Sequence, residues 1–148
     1  MRVRDVLKEK AGGDVVTIRP SADVERAAEL LMRRGIGGLP VVDPDGSLLG
    51  FVSERDIVRL VHEGRTDLHR LTMAEVMSRP APVCEPDAPL TGVMSRMTRE
   101  RLRHLVVVEG GRIEGILSVG DLVKHRIREL ETEAGVLRDY VAGQRARR

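Results

Sequence analysis

Apolar positions along the chain fall into two kinds of run. One has helical spacing: Val24, Ala27, Ala28 and Leu31 recur at three- and four-residue steps, which lays them along one face of a helix. Ser21 or Asp23 stands where such a helix is capped, and Gly35 where it stops. The other kind is short and continuous: Leu39-Pro40-Val41-Val42 and residues 48–52, then Leu105-Val106-Val107-Val108 and residues 113–117. Runs of four or five residues separated by Gly-bearing turns predict buried hairpin strands. Short apolar stretches at residues 15–18 and 82–84, next to prolines, predict one further strand ahead of each hairpin. A second helix is expected after each hairpin, beginning at Ser53 and at Ser118, and Gly64 stops the first of these.

The two sets of elements are copies. With Pro20 placed on Pro86, Ala22 meets Ala88, Val24 meets Leu90, Leu31 meets Met97, and Val41-Val42 meet Val107-Val108. The turn Asp43-Pro44-Asp45-Gly46 is one residue longer than Glu109-Gly110-Gly111. Beyond it the offset falls from 66 to 65, and Gly50, Ser53, Asp56 and Val58 meet Gly115, Ser118, Asp121 and Val123. Upstream, Asp5-Val6-Leu7 matches Glu75-Val76-Met77. A repeat dictates the fold before any local detail does. The expected architecture is mixed α/β (α+β), two pseudo-symmetric β-α-β-β-α units packed as one module. The expected boundaries are 1–64 for the first unit, 65–72 for a linker, 73–127 for the second unit, and 128–148 for a C-terminal helix and basic tail.

Each second helix opens on a serine with an acid three residues on, Ser53-Glu54-Arg55-Asp56 and Ser118-Val119-Gly120-Asp121. This pattern is a capping box, in which serine oxygen and acid satisfy amides of the first turn. The same geometry suits a ligand, because a strand entering a helix presents free amides and the positive end of the dipole. A hydroxyl and a carboxylate placed there are able to hold phosphate and ribose. Both readings stand, and they are compatible.

The doubled segments Gly50-Phe51-Val52-Ser53-Glu54-Arg55-Asp56 and Gly115-Ile116-Leu117-Ser118-Val119-Gly120-Asp121, with Leu39-Pro40-Val41-Val42-Asp43 and the run from Arg103 to Glu109 before them, resemble a tandem pair of CBS domains (a Bateman module), the unit named after cystathionine β-synthase. The likeness runs from about residue 3 to 126. It extends to stand-alone bacterial CBS-pair signal-transduction proteins, which share the Lys124-His125-Arg126-Ile127 stretch. The resemblance implies a regulatory module that binds AMP, ADP, ATP, NAD(H) or S-adenosylmethionine, with no cofactor required for catalysis. It implies that Asp56 and Asp121 hold ribose and that Ser53 and Ser118 lie near ribose or phosphate. It places Thr17, Ile18, Val83 and Cys84 along the adenine, and Arg103 and His104 at phosphates. Arg55, beside the motif acid, is a further phosphate candidate, since a guanidinium grips phosphate bidentately. The first copy departs from the second, carrying Gly37-Gly38 where the second has Arg103-His104. Glycine there makes room for a bulky ligand or for close backbone packing. Unequal sites are therefore expected, with phosphate favouring the Asp121 site.

Composition narrows the alternatives. Lys and Arg number 25 against 23 Asp and Glu, for a net charge of +2. From Asp121 onward there are seven basic and five acidic residues, so the excess lies in the tail and not on a basic face, and nucleic acid is not an expected partner. The only aromatics are Phe51 and Tyr140, too few for base stacking. No membrane segment, secretory leader or disulfide framework is expected, and the chain is read as cytoplasmic. Cys84 is the lone cysteine, and His62, His69, His104 and His125 lack metal-ligand spacing. No nucleophile motif, P-loop or dinucleotide fingerprint appears, so an enzyme is not expected.

The C-terminal stretch carries a heptad. Ile127, Ala134 and Val141 fall at a, and Val123, Leu130 and Leu137 at d, with Arg126–Glu131 and Glu133–Arg138 at flanking g and e positions. This stripe pairs with a second copy or lies on its own module. A homodimer is expected, as is a regulated protein partner of unidentified kind. The alternative to sensing is a scaffold with vestigial ligand sites that acts through this helix.

Overall fold

The computed structural model describes residues 1–10 and 13–147. A short helix α1 (Val3–Glu9) is followed by α2 (Val24–Arg34), the hairpin β1 (Gly38–Val42) and β2 (Leu48–Ser53), and α3 (Glu54–His62). The second copy repeats this with α4 (Met73–Val76), β3 (Val83–Cys84), α5 (Leu90–Glu100), β4 (His104–Glu109), β5 (Arg112–Ser118) and α6 (Val119–Ala146). Both hairpins carry a register shift at the same place, between Val41 and Val42 and between Val107 and Val108.

Helix ends follow the sequence signals. Asp23 caps α2, its side chain accepting from the Arg26 amide at 2.8 Å. Gly35 ends that helix in the left-handed region at φ 61°. Its counterpart after α5 is Arg101, at φ 56°, where a side chain costs about 1–2 kcal/mol that glycine avoids.

The strand expected at residues 15–18 shrinks to a single parallel bridge between Ile18 and Val41, for a reason visible in the second copy. There the Val106 amide donates to Pro82 O at 2.8 Å, which extends β3 along β4. The residue matching Val106 is Pro40, which has no N–H. The rung that would tie down Val16 is missing, and only the Ile18 rungs to Pro40 O and from the Val42 amide form.

The short helices exchange places. Val3 and Val6 are buried with Leu90, Val93, Met97, Leu105, Val107, Leu117 and Leu122, in the core of the second repeat. Met73 is buried with Val24, Ala27, Leu31, Leu39, Val41 and Val52, in the core of the first. The hydrogen bonds follow suit. The Val3 and Arg4 amides donate to Ala88 O and Pro86 O, and the Met73 and Ala74 amides donate to Ala22 O and Pro20 O. Each buried valine contributes about 1.5–3 kcal/mol, so the exchange ties the repeats together. The segment 65–72, expected as a linker, packs Leu71 into the first core. A third cluster, centred on Phe51, Ala81 and Val106, joins the two sheets.

The motif glycines explain where the exchanged helices sit. A Cβ on Gly115 would lie 3.0 Å from a Leu7 methyl, and one on Gly50 would lie 2.6 Å from Met77 Sδ and from Ser78 O. Each glycine is the socket for the last turn of the incoming helix.

Candidate functional site

Both strand-to-helix junctions form the capping box. In the first, the Ser53 amide donates to Asp56 Oδ2 at 2.7 Å and the Asp56 amide to Ser53 Oγ at 3.3 Å. In the second, the Ser118 amide donates to Asp121 Oδ2 at 2.9 Å and the Asp121 amide to Ser118 Oγ at 3.1 Å. The helices are held to the preceding strands alike, Glu54 N to Gly37 O and Val119 N to Arg103 O, each at 3.0 Å. All four motif side chains are half-buried. A ligand at either junction meets a carboxylate on a helix N-terminus that is already oriented.

What surrounds the two acids differs. Asp56 lines a cleft of about 380 Å³ along α3, with Arg59, Leu60 and Glu63 on the same helix face and Leu71, Glu75 and Val76 opposite. Its nearest cation is Arg59, 3.8 Å from Oδ1. Across Asp121 the corresponding space holds the end of α1. Lys10 Nζ donates to Asp121 Oδ2 at 2.9 Å and to Ile116 O at 2.7 Å. One turn further along, His125 Nδ1 lies 3.0 Å from Glu9 Oε2, and its Nε2 lies 3.2 Å from Glu129 Oε1. Burial pulls the Asp121 carboxyl up, but the Ser118 amide and Lys10 outweigh it and hold the acid below its ordinary range. His125 is held above its ordinary value, chiefly by its bond to Glu9.

His104 lies between the repeats. Its ring is 5.5 Å from that of Phe51, tilted by 39°, and its Nε2 is 2.9 Å from the point where a Gly37 Cβ would be. Gly38 in turn lies beneath Phe51, whose ring occupies the place a Cβ would take. The glycine pair thus accommodates two side chains of this protein. Burial pushes the His104 imidazole below its ordinary value, with Asp121 and Glu54 opposing.

The remaining residues differ in exposure. Arg55, Arg103 and Thr17 are exposed. The Ile18 side chain is in the first core, and its amide and carbonyl are both bonded to β1. Val83 is exposed, and its carbonyl takes the Arg96 guanidinium. Cys84 packs on the second core, and burial raises its thiol pKa. Sequence comparison between the copies missed Lys10, Glu9 and the acidic and basic lining of the Asp56 cleft. The match ends at Leu7 and Met77, and Lys10 has no counterpart cation. Among the described residues there is no cluster of three metal-ligating side chains, and no helix is long and apolar enough to cross a membrane.

The family model for the CBS domain matches residues 3–63 and 73–128. Among solved structures, a CBS-domain-containing protein of Agrobacterium tumefaciens is 37% identical, with 84% of this chain and 92% of that one covered at a TM-score of 0.79. A CBS-domain protein of Pyrobaculum aerophilum complexed with AMP is 24% identical, covering 90% and 99% at a TM-score of 0.75. The CBS domain pair of protein MJ0100, solved with 5′-methylthioadenosine and S-adenosyl-L-methionine, is 23% identical, covering 87% and 98% at a TM-score of 0.76. The chain spans under half the length of the first curated relatives it matches, 41% in the case of a 30%-identical uncharacterised protein of Methanocaldococcus jannaschii. The doubled β-α-β-β-α fold, the paired Ser-x-x-Asp junctions and these matches agree: the chain belongs to the CBS-domain family, as a tandem pair.

Proposed function

We propose that this chain is a non-catalytic sensor module that binds an adenosine-containing ligand, AMP, ADP, ATP, NAD(H) or S-adenosylmethionine, at its two Ser-x-x-Asp junctions. The observation that carries the reading is the duplication itself: two half-buried carboxylates, each fixed on a helix N-terminus by the same capping box. The Pyrobaculum protein crystallised with AMP and the MJ0100 pair with adenosyl ligands support the ligand class. Ser53 and Asp56 form one site, and Ser118 and Asp121 the other. Arg55, Arg103 and His104 are assigned to the phosphate, and Thr17, Ile18, Val83 and Cys84 to the adenine. The working repeats are residues 1–64 and 73–127, in a cytoplasmic protein that acts on a regulated partner. Mass spectrometry of small molecules released from the purified chain, followed by calorimetry with AMP, ATP, NAD and S-adenosylmethionine, tests it. Binding by any of them at up to millimolar concentration is expected, and heat from none of them ends the sensing reading.

A second reading, self-association, is favoured by α6. It is one helix of 28 residues, about 42 Å long at 1.5 Å per residue. Its a and d residues Val123, Ile127, Leu130, Leu137 and Val141 are 42–63% exposed, whereas Leu122 and His125 are buried. At 3.6 residues per turn, the buried pair lies about 130° from the a/d seam. The stripe therefore faces away from its own module and leaves room for a second copy. A parallel pair brings Arg126 to Glu131 and Glu133 to Arg138 across the seam. We expect a mass near twice 16.4 kDa by light scattering, and a weaker dimer when residues 128–148 are removed. An unchanged dimer would place the interface elsewhere on the module.

A further inference from the structure

The acid of the second junction is not empty-handed: the end of the exchanged helix delivers an ammonium to it. Lys10 Nζ bridges Asp121 Oδ2 at 2.9 Å and Ile116 O at 2.7 Å, and its side chain remains 38% exposed. An ammonium has three donors, and these two bonds leave one for an incoming group. The first repeat solves the same local problem without a cation. The counterpart of Ile116 is Phe51, whose carbonyl accepts the Ser78 backbone amide at 2.8 Å. Lys10 is thus a feature of the Asp121 site alone.

We propose that Lys10 is the anion-selecting side chain of the Asp121 site: the counter-ion of the carboxylate while the site is empty, and the donor to a phosphate when a phosphorylated ligand enters. This rests on the reading that the junction takes an adenosine ligand. Asp121 has two oxygens with about four acceptor positions, and Ser118 N and Lys10 use two of them. A ribose hydroxyl binds without Lys10 having to leave. A neutral ligand that covers the ammonium strips its water and returns nothing, which is costly for a charge. A ligand with a phosphate within reach of the lysine stem replaces that water by a charge-assisted bond, about twice as strong as a neutral one. Lys10 is the cation in direct contact with this acid.

The test is calorimetry on the full chain with AMP and adenosine as probes, in the wild type, Lys10→Met and Lys10→Arg. Methionine keeps the stem and removes the charge. The wild type is expected to prefer AMP. In Lys10→Met the AMP affinity falls about tenfold or more, the size of one charge-assisted bond, while adenosine binds as well or better. Lys10→Arg keeps the preference. A ratio of AMP to adenosine affinity that moves less than twofold in Lys10→Met overturns the assignment, because a purely structural lysine would weaken both ligands alike. If the wild type takes up neither probe, this assignment is overturned, while the ligand reading is decided separately by the calorimetry with ATP, NAD and S-adenosylmethionine.

Discussion

Replacing Gly50 by alanine tests the socket arrangement, because the two motif glycines face different obstacles. Neither glycine has a positive φ, so alanine fits the backbone at both. Relief of unfolded-state entropy favours each substitution by about 0.4–1 kcal/mol. At Gly50 the new Cβ would meet Met77 Sδ and Ser78 O, both at 2.6 Å. Ser78 O cannot retreat, since it accepts the Phe51 amide at 3.0 Å and Ser78 N donates back to Phe51 O. Overpacking against fixed atoms costs about 1–3 kcal/mol or more, leaving a net loss of about 2 kcal/mol. For a chain of this size that is a fall of about 4–8 °C in Tm. At Gly115 the obstacle is the Leu7 side chain at 3.0 and 3.2 Å. Leu7 is only half-buried and free to turn, so Gly115→Ala should stay within about 1 kcal/mol of the wild type. With no Trp and a single Tyr, circular dichroism during urea and thermal unfolding is the suitable probe. Adding Leu7→Ala to Gly115→Ala should show favourable coupling, whereas Met77→Ala should rescue Gly50→Ala only in part, because Ser78 O remains. Equal costs at the two glycines, or full rescue by Met77→Ala, would refute the arrangement.

Two further outcomes follow from the helix ends. His125, held above its ordinary value by Glu9 with Glu129 assisting against burial, stabilises the fold fully below the unfolded value of about 6.5 and loses that contribution as pH rises through its higher folded value. His125→Ala should therefore cost more stability at pH 5.5–6 than at pH 9 in denaturant titrations, and a pH-independent cost would contradict the Glu9 pairing. Arg101→Gly relieves a left-handed residue at φ 56° and should raise stability by about 0.5–1 kcal/mol, so a lowered Tm would show that the Arg101 side chain holds the turn.

The repeat made most of the fold legible. Two copies of a strand pair ending in Gly-x-x-Ser-x-x-Asp locate the hairpins, the caps and both carboxylates, because each signal is local: a turn glycine, a cap, an apolar run. What was not legible depends on partners distant in sequence. The apolar faces of Val3-Val6 and of Met73-Val76 announce burial but not in which core, and the structure puts each in the other repeat. Pro40 shows in the sequence as a strand residue. Its effect on residues 15–18 appears only once the parallel rung it denies is located. The burial of His104 against Phe51 and Gly37 is not announced by the sequence.

The asymmetry of the pair therefore comes from a handful of positions where the copies disagree, set in a frame where they agree. Pro40 opposes Val106, and one strand is cut to a single bridge. Gly37-Gly38 oppose Arg103-His104, so the imidazole crosses from the second repeat into space the first leaves open. Leu60 opposes His125, so one helix face borders an open cleft while the other is tied to Glu9. Glu9 and Lys10 both belong to the end of α1, and both reach α6, at His125 and at Asp121. The acid at the second junction thus shares its ion-pair partner with the one segment that the first half of the chain lends to the second core.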